Sequence, residues 1–289
     1  MKQSLWSIVA AFSFALMAVF VRLGASDLGA WQLVFLRSIF GMLFIGSYVF
    51  FTHRSIRTSY FTQHMIRSFL GIVAIVMWFW ALPRMNFGLC ITLVYTTPLF
   101  MALNFFILAI VRKEPPPWHL IIPIVIGFVG IEVITQPTIS EEEIVPALMC
   151  ILSAAIDLLV YWQMKRMGDL GEPSWRIVFY FAFLGAVIAG GASSFDFKLP
   201  THPMGWDNIG AILGMGLFAT LGQLSSTRAY AYGNMLLSSC LGFSSIVFSI
   251  ILGAIVFHEP ILWSSVVGGS LVIIGGVMSV IKTKKLQGA

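Results

Sequence analysis

The sequence predicts an all-α membrane protein of ten transmembrane helices, built as two inverted five-helix repeats. Three observations carry that expectation. Charged residues make up 10% of the 289-residue chain and hydrophobic residues 58%, where a soluble domain carries about 25% charged. The mean hydropathy is +0.93. The apolar residues gather into runs near the length of about 20 residues that a helix needs to cross a bilayer, and a Glu-Pro-x-x-Trp pattern occurs twice, at Glu114 and Glu259. In lipid the backbone must satisfy its own hydrogen bonds, which makes helices the natural reading of such runs.

The runs are 4–22, 31–51, 64–82, 88–111, 118–136, 145–163, 174–192, 207–229, 233–257 and 261–281. The first follows Lys2 and passes into Arg22 without a small-residue cleavage site, so it reads as a membrane helix and not as a cleaved signal peptide. The second opens on Trp31 and holds Arg37; the third opens with Arg67 and carries Trp78 and Trp80. The fourth contains Tyr95-Thr96-Thr97-Pro98 and ends at Arg112-Lys113-Glu114, before three prolines. The fifth is marked by Gly127, Gly130 and Glu132, and the acidic stretch Glu141-Glu142-Glu143 follows it. The sixth encloses Asp157, and the seventh starts after Gly171-Glu172-Pro173. The eighth and ninth carry stripes of small and polar residues, and the tenth, after Glu259-Pro260, is rich in glycine. The connections are too short for a soluble domain.

With the N-terminus inside and alternating spans, the inner side receives Lys2, Arg54, Arg57, Arg67, Arg112, Lys113, Lys165, Arg166, Arg176, Arg228, Lys282, Lys284 and Lys285. The outer side receives Arg22, Arg37, Arg84 and Lys198. This bias places both termini in the cytoplasm of a multi-pass protein of the cytoplasmic (inner) membrane. The net charge of +5 is then a matter of topology and lipid headgroups, not of nucleic acid.

A shift of 145 positions (259 − 114) superposes Glu114 on Glu259, Pro115 on Pro260, Trp118 on Trp263, Gly130 on Gly275 and Gly88 on Gly233. A shift of 144 (185 − 41) superposes Trp31 on Trp175 and Gly41 on Gly185. The halves are therefore 1–144 and 145–289. Five spans are an odd number, so the second half enters the bilayer from the opposite side. Inverted halves can exchange shapes, which gives the inward-open and outward-open pair of states that alternating access requires.

These features resemble the drug/metabolite transporter superfamily, in particular its ten-helix EamA-type members. The residues that carry the resemblance are Glu114-Pro115 and Glu259-Pro260, the glycine-rich helices that follow them, and Phe35-Leu36-Arg37-Ser38 in the second span. Arg67-Ser68-x-x-Gly71 and Pro98-Leu99-Phe100 look most like the S-adenosylmethionine uptake branch. The resemblance implies a central cavity lined mainly by spans three, four, eight and nine, with five and ten peripheral. It implies a secondary transporter of small metabolites, with S-adenosylmethionine uptake as one reading and export of amino acids, other metabolites or drugs as the alternative.

The candidate site residues follow from cost and spacing. An acid at the middle of a span costs about 2.5–3.5 kcal/mol to insert, so Asp157 should face protein or water; it is the candidate for substrate binding and for proton coupling, against a purely structural role. Tyr161 shares its face one turn on. Pro98 frees a backbone carbonyl that would serve a ligand or merely a kink, and Thr97 and Asn104 share a face there, near Tyr95. Gln223, Thr227 and Tyr230 form a polar stripe on the eighth span. Ser245 belongs to a stripe on the ninth whose small residues suit close packing equally well. Trp78 aligns with Gln223 under the 145 shift and offers a ring for stacking or for a cation; Trp78 and Trp80, two positions apart, should not both face inward. Arg22 and Arg37 would guard an outer vestibule or else reach for headgroups.

A small-molecule substrate and the lipid bilayer are the partners expected, and the glycines of the last span would also suit a dimer seam. The sequence has no glycine-rich phosphate loop with its lysine and no His or Cys cluster at metal spacing. No metal or cofactor is implied, and Cys90, Cys150 and Cys240 read as packing residues. Two other classes compete: a membrane-embedded enzyme, which the scattered histidines do not favour, and a channel, which would need a continuous pore where an inverted repeat fits alternating gates.

Overall fold

A computed structural model describes residues 2–24, 28–85, 90, 93–115, 118–135, 141–193, 206–258 and 263–287. These are helical, with no strand among them. The helices are α1 (Trp6–Gly24), α2 (Ala30–Phe51), α3 (Phe61–Ala81), α4 (Thr97–Arg112), α5 (Trp118–Thr135), α6 (Ile144–Asp169), α7 (Ser174–Ala192), α8 (Trp206–Tyr232), α9 (Met235–Gly242), α10 (Ser244–Phe257) and α11 (Trp263–Gln287). Seven segments are long and apolar enough to cross a membrane: α1, α2, α3, α6, α7, α8 and the joined α9–α10. Shorter apolar stretches lie in α4, α5 and α11. The Glu259-Pro260 turn, Gly88 and Lys198 lie outside the described residues.

Two of the expected spans are broken, each for a local reason. The fourth turns at Tyr95 and Thr96, and α4 restarts at Thr97 with Pro98 in its first turn, a position that needs no N–H. The carbonyl of Val94, whose helical donor would be residue 98, accepts the Thr97 hydroxyl at 3.2 Å. The carbonyl that proline frees thus has an acceptor role within the chain, which favours the kink over the ligand of the two expected alternatives. The ninth breaks at Phe243, whose ring fills the space beside Gly127 of α5; a Cβ at Gly127 would lie 2.8 Å from it. Asn234 caps α9 by accepting from the Leu237 N–H at 2.9 Å.

Four helix pairs dominate the packing: α5 with α11, α1 with α8, α2 with α7, and α3 with α6. Their close contacts recur under the shifts read from the sequence. A Cβ at Gly130 would meet the Gly268 carbonyl and the Val272 N–H, while one at Gly275 would meet the Pro123 carbonyl and the Gly127 N–H. Those partners differ by the same 145 positions. Likewise Gly41 lies against Ala182 and Gly185 against Ser38, partners separated by 144. Lys113 and His258, also 145 apart, end α4 and α10 in the left-handed region with φ of 57° and 54°. Small residues let these backbones approach closely, which is how helices associate where the solvent gives no hydrophobic drive. The outward faces remain apolar, with Phe50, Phe51, Val111, Ile255 and Trp263 largely exposed, as a lipid-facing surface requires.

Candidate functional site

A cavity of about 150 Å³ lies among α1, α2, α3, α6, α7, α8, α9 and the segment leading into α4. Among the described residues, neither α5 nor α11 contributes to it; they pack on each other. Two arginines face it. Arg67, at the second turn of α3, is 1% exposed, and Arg37 of α2 is 6% exposed. Both guanidinium groups lie over the ring of Phe181 from α7, at 3.8 Å and 5.7 Å from its centroid. Sequence dictates the first placement locally. Gly71 sits one turn after Arg67, and a Cβ there would come 2.9 Å from Arg67 Nη1 and 3.0 Å from the Phe181 ring. The absent side chain leaves room for the guanidinium to fold back along its own helix. Nε and Nη1 of Arg67, and Nη1 of Arg37, are buried without a hydrogen-bond partner.

Asp157 of α6 also lines the cavity. It and Arg67 feel each other's charge, yet no ion pair within 4 Å joins them among the described residues. Its neighbour Ser153 is engaged elsewhere, donating to the Ala74 carbonyl at 2.9 Å, which fastens α6 to α3 beside the acid. One turn beyond Asp157, Tyr161 stacks almost in parallel with Tyr230 of α8, 3.8 Å apart at 4°. The Tyr230 hydroxyl lies 3.2 Å from that of Ser239 on α9. Tyr95, from the break before α4, completes the aromatic wall.

Eight of the expected residues meet here: Arg37, Trp78, Tyr95, Thr97, Asp157, Tyr161, Gln223 and Tyr230. Trp78 and Gln223, aligned by the repeat, both line the cavity, and Trp80 does not; Trp80 instead carries Arg84 over its ring at 4.2 Å. Four expected residues lie elsewhere. Asn104 accepts from Trp162 Nε1 at 3.2 Å and ties α4 to α6. Thr227 is fully buried, with its hydroxyl unpartnered, in helix packing. Ser245 is buried outside the lining. Arg22 lies at the end of α1 over the Phe257 ring, at 4.2 Å. For Arg37 the burial speaks against the headgroup alternative, because α7 and α8 cover the guanidinium.

Sequence reasoning missed Arg67 as a site residue and used it to count charge on the inner side and as part of the Arg67-Ser68-x-x-Gly71 pattern. The available signal was a full charge inside the boundary of an apolar run, followed one turn later by glycine. It also missed α1, whose Ser7, Ala10 and Phe14 form one wall, and Phe181, the ring both arginines share.

A second polar cluster lies outside the cavity. The Glu172 carboxylate, 3% exposed, accepts from Thr58 Oγ1 at 2.5 Å and from Arg176 at 3.1 Å, with His64 Nε2 at 3.5 Å. Arg176 also donates to the Ser55 carbonyl, and the Tyr232 hydroxyl to the Glu172 carbonyl. Together they clamp the α2–α3 connection to the start of α7 and the end of α8.

A bundle of apolar helices with charged, partly unpaired side chains around an internal hollow defines the class: an integral membrane transporter, since buried charge of this kind marks a substrate or ion path. The chain belongs to the EamA-like transporter family, which matches it twice, over residues 1–136 and 145–281. It is 23% identical over 285 residues to the pseudopaline exporter CntI of Pseudomonas aeruginosa, covering 97% of this chain and 96% of that one. It is 23% identical over 208 residues to a riboflavin transporter of Vibrio cholerae, covering 71% and 66%. A riboflavin transporter of Rhizobium johnstonii is 24% identical over 241 residues, covering 79% and 74%. A solved crystal structure superposes with a TM-score of 0.81 at 16% identity, covering 99% of this chain and 98% of that one, which speaks for the fold alone.

Proposed function

We propose that this protein is a secondary carrier of a small metabolite, working by alternating access between two inverted halves, 1–144 and 145–289, around the Arg37–Arg67–Asp157 cavity. The single observation that carries the reading is the reciprocity of the packing. Gly130 against Gly268 and Val272 is matched by Gly275 against Pro123 and Gly127, as two copies related by a two-fold axis would be. The three shorter apolar helices then complete ten spans, with the ends of α4, α5 and α11 adding the length their apolar centres lack. Both termini lie in the cytoplasm on this reading, set by the excess of Lys and Arg in the inner connections.

Asp157 is the proton-coupling residue in the proposal, and the lining aromatics hold the body of the substrate. One proton moved across 100 mV supplies about 2.3 kcal/mol, which sustains a gradient of roughly 40-fold. The relatives include an exporter of pseudopaline and transporters of riboflavin. They give no support to S-adenosylmethionine uptake, which is not part of the proposal.

The test is sidedness. Glu114→Cys and Glu259→Cys, placed singly in cells and treated with an impermeant thiol reagent, should label from opposite faces; Cys90, Cys150 and Cys240 are buried and serve as the silent background. Labelling of both positions from the same face would overturn the inverted arrangement.

A further inference from the structure

We infer that the cavity recognises a small organic monoanion by its carboxylate, seated between Arg37 and Arg67, with an apolar or aromatic body against Tyr161, Tyr230 and Trp78. The inference rests on the carrier reading and names the substrate class of its site. Two guanidinium groups and one carboxylate line the cavity among the described residues, so with Asp157 ionised the lining holds one positive charge in excess. Guanidinium forks match carboxylate geometry in a bidentate way. Three of their nitrogens are buried without a partner, although buried donors are almost always satisfied. Both guanidinium groups approach the same Phe181 ring, at 3.8 Å and 5.7 Å from its centroid, and it supplies no counter-charge beyond its π face. Asp157 stands back at more than ion-pair distance from Arg67 and leaves those donors open. The remaining described lining mixes apolar side chains, such as Ala10, Phe14, Ile75 and Met164, with neutral polar ones, such as Ser7 and Gln223, and offers no further charge to a second charged group on the ligand. The volume suits a molecule of about one aromatic ring, since a cavity of similar size takes benzene.

Asp157 and the ligand's carboxylate then compete for Arg67. The charged and titratable groups around Asp157 are Arg67 of α3, Tyr161 of its own helix, Tyr230 of α8 and Tyr95 before α4, with Arg37 of α2 acting on Arg67. A proton on Asp157 removes the competitor, so that anion and proton bind together and their combined movement is electrically neutral.

Benzoate, benzamide, benzylamine and phenylphosphonate are the probes, titrated into the purified full chain in nanodiscs and read by isothermal titration calorimetry. Benzoate should bind, and the neutral and cationic analogues should not. Phenylphosphonate binding more tightly than benzoate would replace carboxylate by phosphonate-like oxoanions and overturn the assignment. Arg67→Gln and Arg37→Gln should each weaken benzoate by about tenfold to hundredfold, the worth of a charged hydrogen bond. Asp157→Asn should instead leave it equal or tighter and remove its dependence on pH. The opposite signs separate recognition from misfolding; Arg67→Lys, which keeps the charge without the fork, should fall between. Benzylamine binding with benzoate excluded, or the same loss in Asp157→Asn as in Arg67→Gln, would sink the proposal. Benzoate binding in nanodiscs without uptake into proteoliposomes would instead count against the carrier reading and leave the carboxylate site standing.

Discussion

Gly130 and Gly275 offer a direct test of the seam between α5 and α11. A Cβ at Gly130 would lie 2.6 Å from the Gly268 carbonyl oxygen, 2.9 Å from Leu271 Cβ and 3.0 Å from the Val272 nitrogen. Two of those atoms are backbone and cannot turn aside, so the helices must part. Restoring ordinary contact at 3.4 Å requires a separation of about 0.8 Å. A gap of that size forfeits a quarter to a half of each contact along the seam, where an atom pair is worth about 0.1–0.2 kcal/mol. Over the tens of atom pairs in such an interface the loss is about 1–3 kcal/mol, the usual cost of overpacking. The higher helix propensity of alanine returns up to about 1 kcal/mol. Gly130→Ala should therefore destabilise the protein, and Gly275→Ala should do so by a similar amount, since its Cβ would meet the Pro123 carbonyl at 2.7 Å. Gly269→Ala, with nothing within 4 Å, should be neutral or slightly stabilising. The assay is reversible unfolding in bicelles by increasing SDS, followed by tryptophan fluorescence. Wild-type stability in Gly130→Ala, or an equal loss in Gly269→Ala, would refute the packing argument.

Three further outcomes are expected. Asp157→Asn in proteoliposomes should abolish accumulation driven by a pH gradient while counterflow persists; unchanged gradient-driven accumulation would remove the proton role. Gly71→Ala should weaken benzoate binding without loss of fold, because its Cβ would displace the Arg67 guanidinium from Phe181; an affinity equal to wild type would show that the arginine needs no such room. Glu172→Ala removes the acceptor that holds Thr58 and Arg176. Breaking a buried pair costs up to about 3–5 kcal/mol, so tryptic cleavage after the exposed Arg54 and Arg57 should quicken by at least about tenfold, and an unchanged rate would mean the clamp does not hold that connection.

Much of the architecture was legible in the sequence because lipid imposes a single rule on every span: apolar outside and bonded within. Run lengths therefore located the helices, and the paired glycines pointed to close contacts that recur under a shift of the sequence. Boundaries were less secure. The α6 helix runs on to Asp169 and α11 to Gln287, since a helix does not stop where apolarity does. The breaks near Tyr95 and at Phe243 had different standing. Pro98 announced the first, while the second depends on the space beside Gly127, a residue of another helix.

The candidate site was legible wherever a residue's cost spoke for itself, as with Asp157 in the middle of an apolar run. It was illegible where the decision lay in rotation about a helix axis. Asn104 and Thr227 have the polarity of lining residues, yet one ties α4 to α6 and the other is sealed in packing. Arg37 could be read as a vestibule guard or a headgroup anchor, and only the fold puts it over the Phe181 ring of α7. Composition and periodicity thus determined by themselves that this chain lives in a membrane as helices in a doubled pattern, because the cost of burying charge and bare backbone in lipid acts on each segment separately. Only the tertiary structure decided which polar groups share one hollow, because Arg37, Arg67, Asp157 and Phe181 come from four helices whose mutual rotation is set by close glycine contacts that no single segment contains.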